Sequence, residues 1–138
     1  YPLHSSAADH VQRPTAVPED GGVASEEVGY RADAMREHAE MASGTGRDVA
    51  ALMRAVPGLL TKDGFEGVQA AALPDGRAVA VKIADGADRA RVPVTAAALA
   101  RCGVDPAALT EFAGAPLLGG GAVVGSIRPA RALDPLAE

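Results

Sequence analysis

Aromatic side chains are scarce in this sequence, which has two Phe, two Tyr and no Trp among 138 residues. A surface that binds nucleic acid uses aromatic rings for base stacking and clustered Lys and Arg for phosphates. The formal net charge of −5 supplies no basic excess, so we expect no nucleic-acid partner. With so few large rings, we expect a core of small aliphatic side chains, which suits helices packed closely on a sheet.

Cysteine and long apolar runs are also lacking. The one cysteine, Cys102, forms no internal disulfide, fits a reducing compartment, and is interpreted as a small buried filler. No run of about 18 apolar residues predicts a membrane span. The first residues lack the charged-then-apolar order of a signal peptide, so we predict a cytoplasmic location. His4, His10 and His38 have no metal-binding spacing, so we predict no metal site in this chain.

The first third of the chain predicts a leader followed by two helices. Residues 1–25 carry several prolines and a glycine pair, which are typical of a disordered leader or a connector. A helix is predicted next, with Ser25 as its N-cap and Gly44 as its stop. A second helix over 47–55 is indicated by apolar residues at i, i+3, i+4 and i+7.

The rest of the chain predicts mixed elements. In order, we expect a short apolar strand at 59–60, strands over 68–73 and 78–83, helices over 93–102 and 106–112, and an edge strand over 122–127. The segment Pro74-Asp75-Gly76 is a turn signal that joins the middle strands into a hairpin. The predicted fold class is therefore α+β, an antiparallel sheet with helices packed on it.

Two short motifs suggest phosphate chemistry, and neither is complete. "RAVAVKI" (77–83) is similar to the lysine strand of protein kinases, but the other kinase motifs are missing, so we predict that Lys82 faces solvent. "SGTGRD" (43–48) lacks the lysine of phosphate loops. It is either a tight connection between helices or a loop whose amides bind a carboxylate or a developing oxyanion.

Lys62 is the remaining candidate for chemistry. It lies between Thr61 and Asp63, directly before a glycine. The residues alone leave two interpretations open. Lys62 is either a solvated turn lysine or a partly desolvated group that stabilises charge or relays a proton.

Four stretches resemble, in order and spacing, the C-terminal part of the L-asparaginase II family, the thermolabile or Rhizobium-type asparaginases. The resemblance covers about residues 31–128. The stretches are "AMREHAEMASGTGRD" (34–48), "ALMRAVPGLLTKDGFEGV" (51–68), "ALPDGRAVAVKIADGADRA" (72–90) and "PLLGGGAVVGSIR" (116–128).

The resemblance implies a fold and a function. The fold is similar to serine β-lactamases and glutaminases, and the reaction is hydrolysis of asparagine to aspartate and ammonia through serine–lysine pairs. It implies that Lys62 is the catalytic lysine on the sheet, with "KDG" standing where β-lactamases have "KTG". It further implies that Gly44, Thr45, Gly46 and Arg47 form a substrate-binding loop beside the site.

Several family motifs do not occur in this sequence. They are the Ser-x-x-Lys nucleophile motif, the Cys-Ser-Gly-Lys-His segment, and the Asp-Gly-Cys segment that holds zinc in some members. We therefore expect the C-terminal part of an asparaginase over 26–130, with an unmatched leader (1–25) and a tail (131–138), inactive alone and without a cofactor. The alternative is a non-catalytic remnant that binds an amino acid or a partner. In either case an exposed sheet edge favours a homodimer.

Overall fold

The computed structural model describes the backbone of residues 22–130 and the side chains of residues 27–130. The predicted leader, apart from residues 22–25, and the predicted tail lie outside the described residues. The elements are α1 (Gly22–Glu37), α2 (Ala39–Ser43), α3 (Asp48–Ala55), β1 (Leu60–Gly64), β2 (Val68–Ala72), β3 (Ala78–Lys82), α4 (Arg91–Arg101), α5 (Pro106–Leu109), β4 (Ala115–Gly119) and β5 (Ala122–Ile127). No helix within this described range is long and apolar enough to cross a membrane.

The helical region differs from its prediction in two ways. The first helix begins at Gly22, before the N-cap predicted at Ser25, and it breaks at His38, where φ is −120° and ψ is 51°. The break turns α2 so that Ala39 is buried against Val49 and Met53 of α3. No Gly or Pro lies between positions 30 and 43, so the sequence carries no local signal for this change of direction. The predicted second helix is confirmed as α3.

The central strands form the predicted antiparallel sheet, in the order β1-β2-β3. The register places Lys62 opposite Ala70 and Ala71 opposite Val79. The turn between β2 and β3 is stabilised by Asp75, whose carboxylate accepts a hydrogen bond of 3.1 Å from the amide of Arg77. The predicted β2–β3 hairpin is therefore confirmed.

The main core lies between this sheet, α3 and α4. Its largest fully buried apolar side chains are Leu52, Leu59 and Leu99. The core is thus centred on leucines, and small residues such as Ala71 and Ala96 lie around them. The composition predicted small side chains throughout, but packing selects the few larger aliphatic residues for the centre.

The last two strands correct the predicted sheet. β5 is not an edge strand of the central sheet, because it pairs antiparallel with β4 in a separate two-stranded sheet. The sequence analysis missed β4, whose Pro116 weakens the strand pattern. Gly120 and Gly121 connect the strands with φ values of 57° and 84°, the positive angles that a tight two-residue hairpin turn needs.

Candidate functional site

Lys62 lies in the middle of β1 with its side chain about half exposed. Its Nζ atom donates to Asp63 Oδ1 at 2.5 Å and to the Asp63 carbonyl oxygen at 3.1 Å. Lys62 is therefore a strand residue rather than a turn residue. Its ammonium group is held by the next residue along the chain.

The loop from Gly44 to Arg47 connects α2 to α3. Gly44 has a φ of 101°, and a Cβ atom there would lie 3.0 Å from Cδ of Arg47. Glycine at position 44 therefore allows the Arg47 side chain to fold back across the loop. Thr45 and Gly46 are exposed. Their amides donate no hydrogen bond to any residue of the range that the structure describes.

Asp63 joins this loop to Lys62. Its Oδ2 atom accepts a hydrogen bond of 2.8 Å from Arg47 Nη2, while Oδ1 accepts the one from Lys62. We call Arg47, Lys62 and Asp63 the ion cluster. The structure thus brings together two of the residues that the resemblance selects, through an aspartate that the sequence analysis left without a role. In the sequence, the signal for a role of Asp63 was its position directly after Lys62.

The electrostatics of Asp63 follow from this position. Partial burial acts to raise the pKa of its carboxyl group. The hydrogen bond from Lys62 and the charges of Lys62 and Arg47 outweigh burial, so the pKa of Asp63 lies below its usual value. The carboxylate therefore remains ionised at neutral pH and keeps both cations in place.

A second group of polar side chains is buried next to the loop. The Arg91 side chain is only 3% exposed and donates to three acceptors. These are Asp48 Oδ2 at 2.7 Å, Gln69 Oε1 at 2.8 Å and Asp88 Oδ1 at 3.1 Å. The pair of Arg91 and Asp48 ties the first residue of α4 to the first residue of α3, and so fixes the point where the Gly44–Arg47 loop ends.

The same network continues into the sheet. Gln69 Nε2 donates to Thr61 Oγ1 at 2.9 Å, and Thr61 Oγ1 donates to the carbonyl oxygen of Ala70 at 2.7 Å. Thr95 Oγ1 donates to the carbonyl oxygen of Arg91 at 2.8 Å. Every buried polar side-chain atom of the described residues has a hydrogen-bond partner. A fully satisfied network of this kind holds a single arrangement of its elements.

An open cleft of about 610 Å³ lies over Arg91. Arg47 lines the cleft and also belongs to the ion cluster, so this side chain connects the two, while Lys62 and Asp63 do not line the cleft. The lining carries both signs of charge and an apolar side. The charged lining residues are Arg47, Asp48, Asp88, Arg89, Arg91 and Glu111, and the apolar ones are Val92, Pro93, Phe112, Gly114 and Ala115. Such a lining suits a small ligand that carries both a carboxylate and an ammonium group.

A family model for L-asparaginase II matches residues 3–129 of the chain. The chain belongs to the L-asparaginase II family. The match begins closer to the amino terminus than the resemblance over 31–128, and it includes most of the segment predicted to be an unmatched leader. No curated protein sequence matches the chain. The family name is that of hydrolases that act on asparagine.

Metal-binding side chains do not gather in the described part of this asparaginase II family member. No group of three or more His, Cys, Asp or Glu residues within 27–130 is placed to hold a metal ion. Cys102 is half-buried and packs against the main core. His38 is exposed at the helix break, and Lys82 is exposed as predicted. The candidate site is therefore made of the ion cluster and the adjoining cleft.

Proposed function

We propose that this chain supplies one side of an asparaginase-type active site, for hydrolysis of L-asparagine to L-aspartate and ammonia. Lys62 is the proposed catalytic residue, and Gly44, Thr45, Gly46 and Arg47 form the proposed substrate-binding loop. The observation that carries the proposal is the ion cluster, in which Asp63 accepts hydrogen bonds from both Lys62 and Arg47. The substrate-binding loop and the strand lysine are thereby close enough to act on one small substrate.

The roles follow from the chemistry of the groups. A lysine ammonium stabilises the negative charge that develops during attack on an amide carbonyl. An arginine guanidinium binds a carboxylate with two parallel hydrogen bonds, which suits the α-carboxylate of an amino acid. The Arg47 side chain is about half exposed, so it remains accessible to such a group. The free amides of Thr45 and Gly46 add donors beside it.

The proposal takes into account that the sequence lacks the nucleophile motif of the family. The sequence contains no Ser-x-x-Lys motif, and its lysines are Lys62 and Lys82. We therefore propose that the chain corresponds to the C-terminal part of such an enzyme, with a serine β-lactamase/glutaminase-like fold. By itself it releases no ammonia from asparagine. The antiparallel sheet with α4 packed on it is compatible with that fold.

A chimera tests the proposal. Residues 31–128 replace the matching part of an active L-asparaginase II that supplies the Ser-x-x-Lys segment, and ammonia release from asparagine is measured. We expect turnover from the chimera, and at least a hundredfold loss of kcat in Lys62→Met, as is common when a charge-stabilising group is removed. Lys82→Met is the matched control and retains activity. Unchanged turnover in Lys62→Met, or ammonia release by the isolated 138-residue chain, contradicts the proposal.

A second candidate function is amino-acid binding without turnover, and the cleft favours it. Glu111 lines the cleft and forms no salt bridge with any other residue between 27 and 130, so its carboxylate is available for an ammonium group. Arg47, on the same cleft, is available for a carboxylate. In this case the isolated chain binds asparagine or aspartate in a calorimetric titration, while the chimera stays inactive. If neither asparagine nor aspartate binds to the chain, this candidate function is rejected.

A further inference from the structure

The ion cluster consists of one largely covered anion and two accessible cations. The Asp63 side chain is 13% exposed, whereas those of Arg47 and Lys62 are 51% and 50% exposed. A guanidinium has five N–H donors and an ammonium has three. Asp63 takes one donor from Arg47 and two from Lys62. Both cations therefore keep N–H groups that can bind a negatively charged ligand, while the carboxylate of Asp63 stays largely out of solvent.

The charge of Asp63 acts on any ligand that these cations bind. Its Oδ1 atom accepts from Lys62 at 2.5 Å and its Oδ2 atom from Arg47 at 2.8 Å, so a ligand on either cation lies close to this carboxylate. Although partial burial acts in the opposite direction, the two cations keep the pKa of Asp63 below its usual value, so the group is ionised at neutral pH. Charges that are partly covered are screened less by salt than exposed ones.

Hydrolysis of asparagine changes the charge of the ligand at one end only. The side chain of the substrate ends in a neutral amide, and that of the product ends in a carboxylate. The inference rests on the proposed function, which places this end at Lys62 and the α-carboxylate at Arg47. The carboxylate formed by hydrolysis then lies beside Asp63, and two like charges at short distance repel each other.

The amino-acid end of the ligand does not distinguish substrate from product. Asparagine and aspartate carry the same α-carboxylate and α-ammonium groups, and the charge of Asp63 acts on these two groups with opposite sign. The effects largely offset each other and are common to both ligands. The extra carboxylate of aspartate is the one group on which the charge of Asp63 acts differently.

We propose that Asp63 is a specificity-determining residue that rejects aspartate in favour of asparagine. Arg47 and Lys62 attract both ligands, and Asp63 repels only the ligand with a side-chain carboxylate. The repulsion weakens binding of the product, and so promotes its release after hydrolysis. Specificity of this kind arises from a repulsive group placed against the unwanted ligand.

A purely structural role of Asp63 predicts a different result. If Asp63 only held Arg47 and Lys62 in position, its removal would weaken binding of asparagine and aspartate to a similar extent. The proposed role predicts that its removal strengthens binding of aspartate alone. The ratio of the two Kd values, rather than either Kd by itself, therefore separates the two roles.

Calorimetric titration of the full 138-residue chain with L-asparagine and with L-aspartate measures this ratio. Asp63→Asn keeps the size of the side chain and removes its charge. We expect the Kd for aspartate to fall about tenfold in this variant, because a like charge near the bound carboxylate is lost. We expect the Kd for asparagine to change less than about threefold.

Two further variants complete the test. Asp63→Glu keeps the charge, so we expect the Kd ratio of the unmodified chain. Asp75→Asn is the matched control, because it removes one aspartate charge from the turn after β2, whereas Asp63 lies opposite Gln69 near the start of β2. Asp75 pairs with Arg77 at that turn, and we expect its substitution to change neither Kd. Circular dichroism checks that each variant keeps its fold.

Three results would overturn the role of Asp63. They are an unchanged Kd ratio in Asp63→Asn, an equal change of this ratio in Asp63→Glu, and binding of neither amino acid by the unmodified chain. Turnover by the chimera tests the proposed function separately. An inactive chimera together with the expected change of the Kd ratio would contradict the asparaginase reaction and support discrimination by Asp63. An active chimera with an unchanged ratio would do the reverse.

Discussion

Two regions of this molecule bury their aliphatic side chains to very different extents. In the body, which we define as residues 27–112, Leu52 and Leu99 are 0% exposed. In the hairpin, Leu118 and Val123 are 61% and 69% exposed. Aliphatic side chains occur in both regions, and the presence of a packing partner decides whether they are buried. The body has helices on its sheet, whereas nothing in the described chain covers the hairpin to a similar extent.

Charge separates the two regions as well. The body contains a buried guanidinium, Arg91, and a nearly covered carboxylate, Asp63, each held by several partners. The hairpin has no ionisable side chain between Glu111 and Arg128. The specific polar contacts that fix one arrangement are therefore found in the body. The hairpin depends on backbone pairing and on apolar contact between its own two strands.

The largest expected effect comes from breaking the buried network of the body. Arg91→Met leaves Asp48 and Gln69 without their shared donor. A hydrogen bond to a charged group typically contributes about 1.5–3 kcal/mol, so we expect loss of the two bonds to Asp48 and Gln69 to lower the free energy of unfolding by about 3–6 kcal/mol. Urea denaturation followed by circular dichroism measures it.

The matched control for this variant is Arg89→Met. The Arg89 side chain is 59% exposed and pairs with Asp85 at the surface, so we expect a change within about 1 kcal/mol. An equal effect of the two substitutions would show that Arg91 acts as a surface residue. The contrast between a body held together by specific polar contacts and a hairpin that lacks them would then fail.

The next effect compares equivalent truncations in the two regions. Leu99→Ala removes a fully buried side chain from the main core, and we expect a loss of about 2–5 kcal/mol in the free energy of unfolding. Val124→Ala in the hairpin should change it by less than about 0.5 kcal/mol. Chemical denaturation of the two variants and of the unmodified chain gives both values. A large effect of Val124→Ala would show that the hairpin packs on the body.

The smallest effect is a pH dependence, and it belongs to the body alone. The folded-state pKa of Asp63 is lowered, so its stabilising contribution is present above the usual aspartate value of about 4 and is lost as the pH falls through the folded value. Asp63→Asn should therefore reduce the loss of stability between about pH 4 and pH 2. Asp75 and Asp85 also have lowered pKa values, so part of the pH dependence of stability remains in this variant.

Thermal unfolding midpoints of the two proteins at several pH values measure this difference. The same experiment on Ser126→Ala serves as the control, because the hairpin has no titrating group in this range. An identical pH profile for Asp63→Asn and the unmodified chain would mean that the ion cluster contributes nothing to stability.

Most elements of the body could be predicted from the sequence, because their signals are local. The apolar spacing of α3, the turn at Pro74-Asp75-Gly76 and the apolar runs of β2 and β3 each lie within a few residues. The break at His38 and the strand β4 were missed for the opposite reason. The break depends on contacts of Ala39 with α3, and β4 is recognisable as a strand only once β5 pairs with it.

The candidate site could likewise be predicted from the sequence only in part. The sequence by itself, through the resemblance, indicated Lys62 and the Gly44–Arg47 loop as the candidate site residues. Only the tertiary structure decided that Asp63 joins them and that Arg91 reaches Asp48, which lies 43 positions earlier in the chain. Residues so far apart meet only when α4 packs on the sheet beside α3. The tertiary structure alone also decided that β5 pairs with β4 in a separate sheet, because burial and pairing are properties of neighbours that the linear order of residues does not specify.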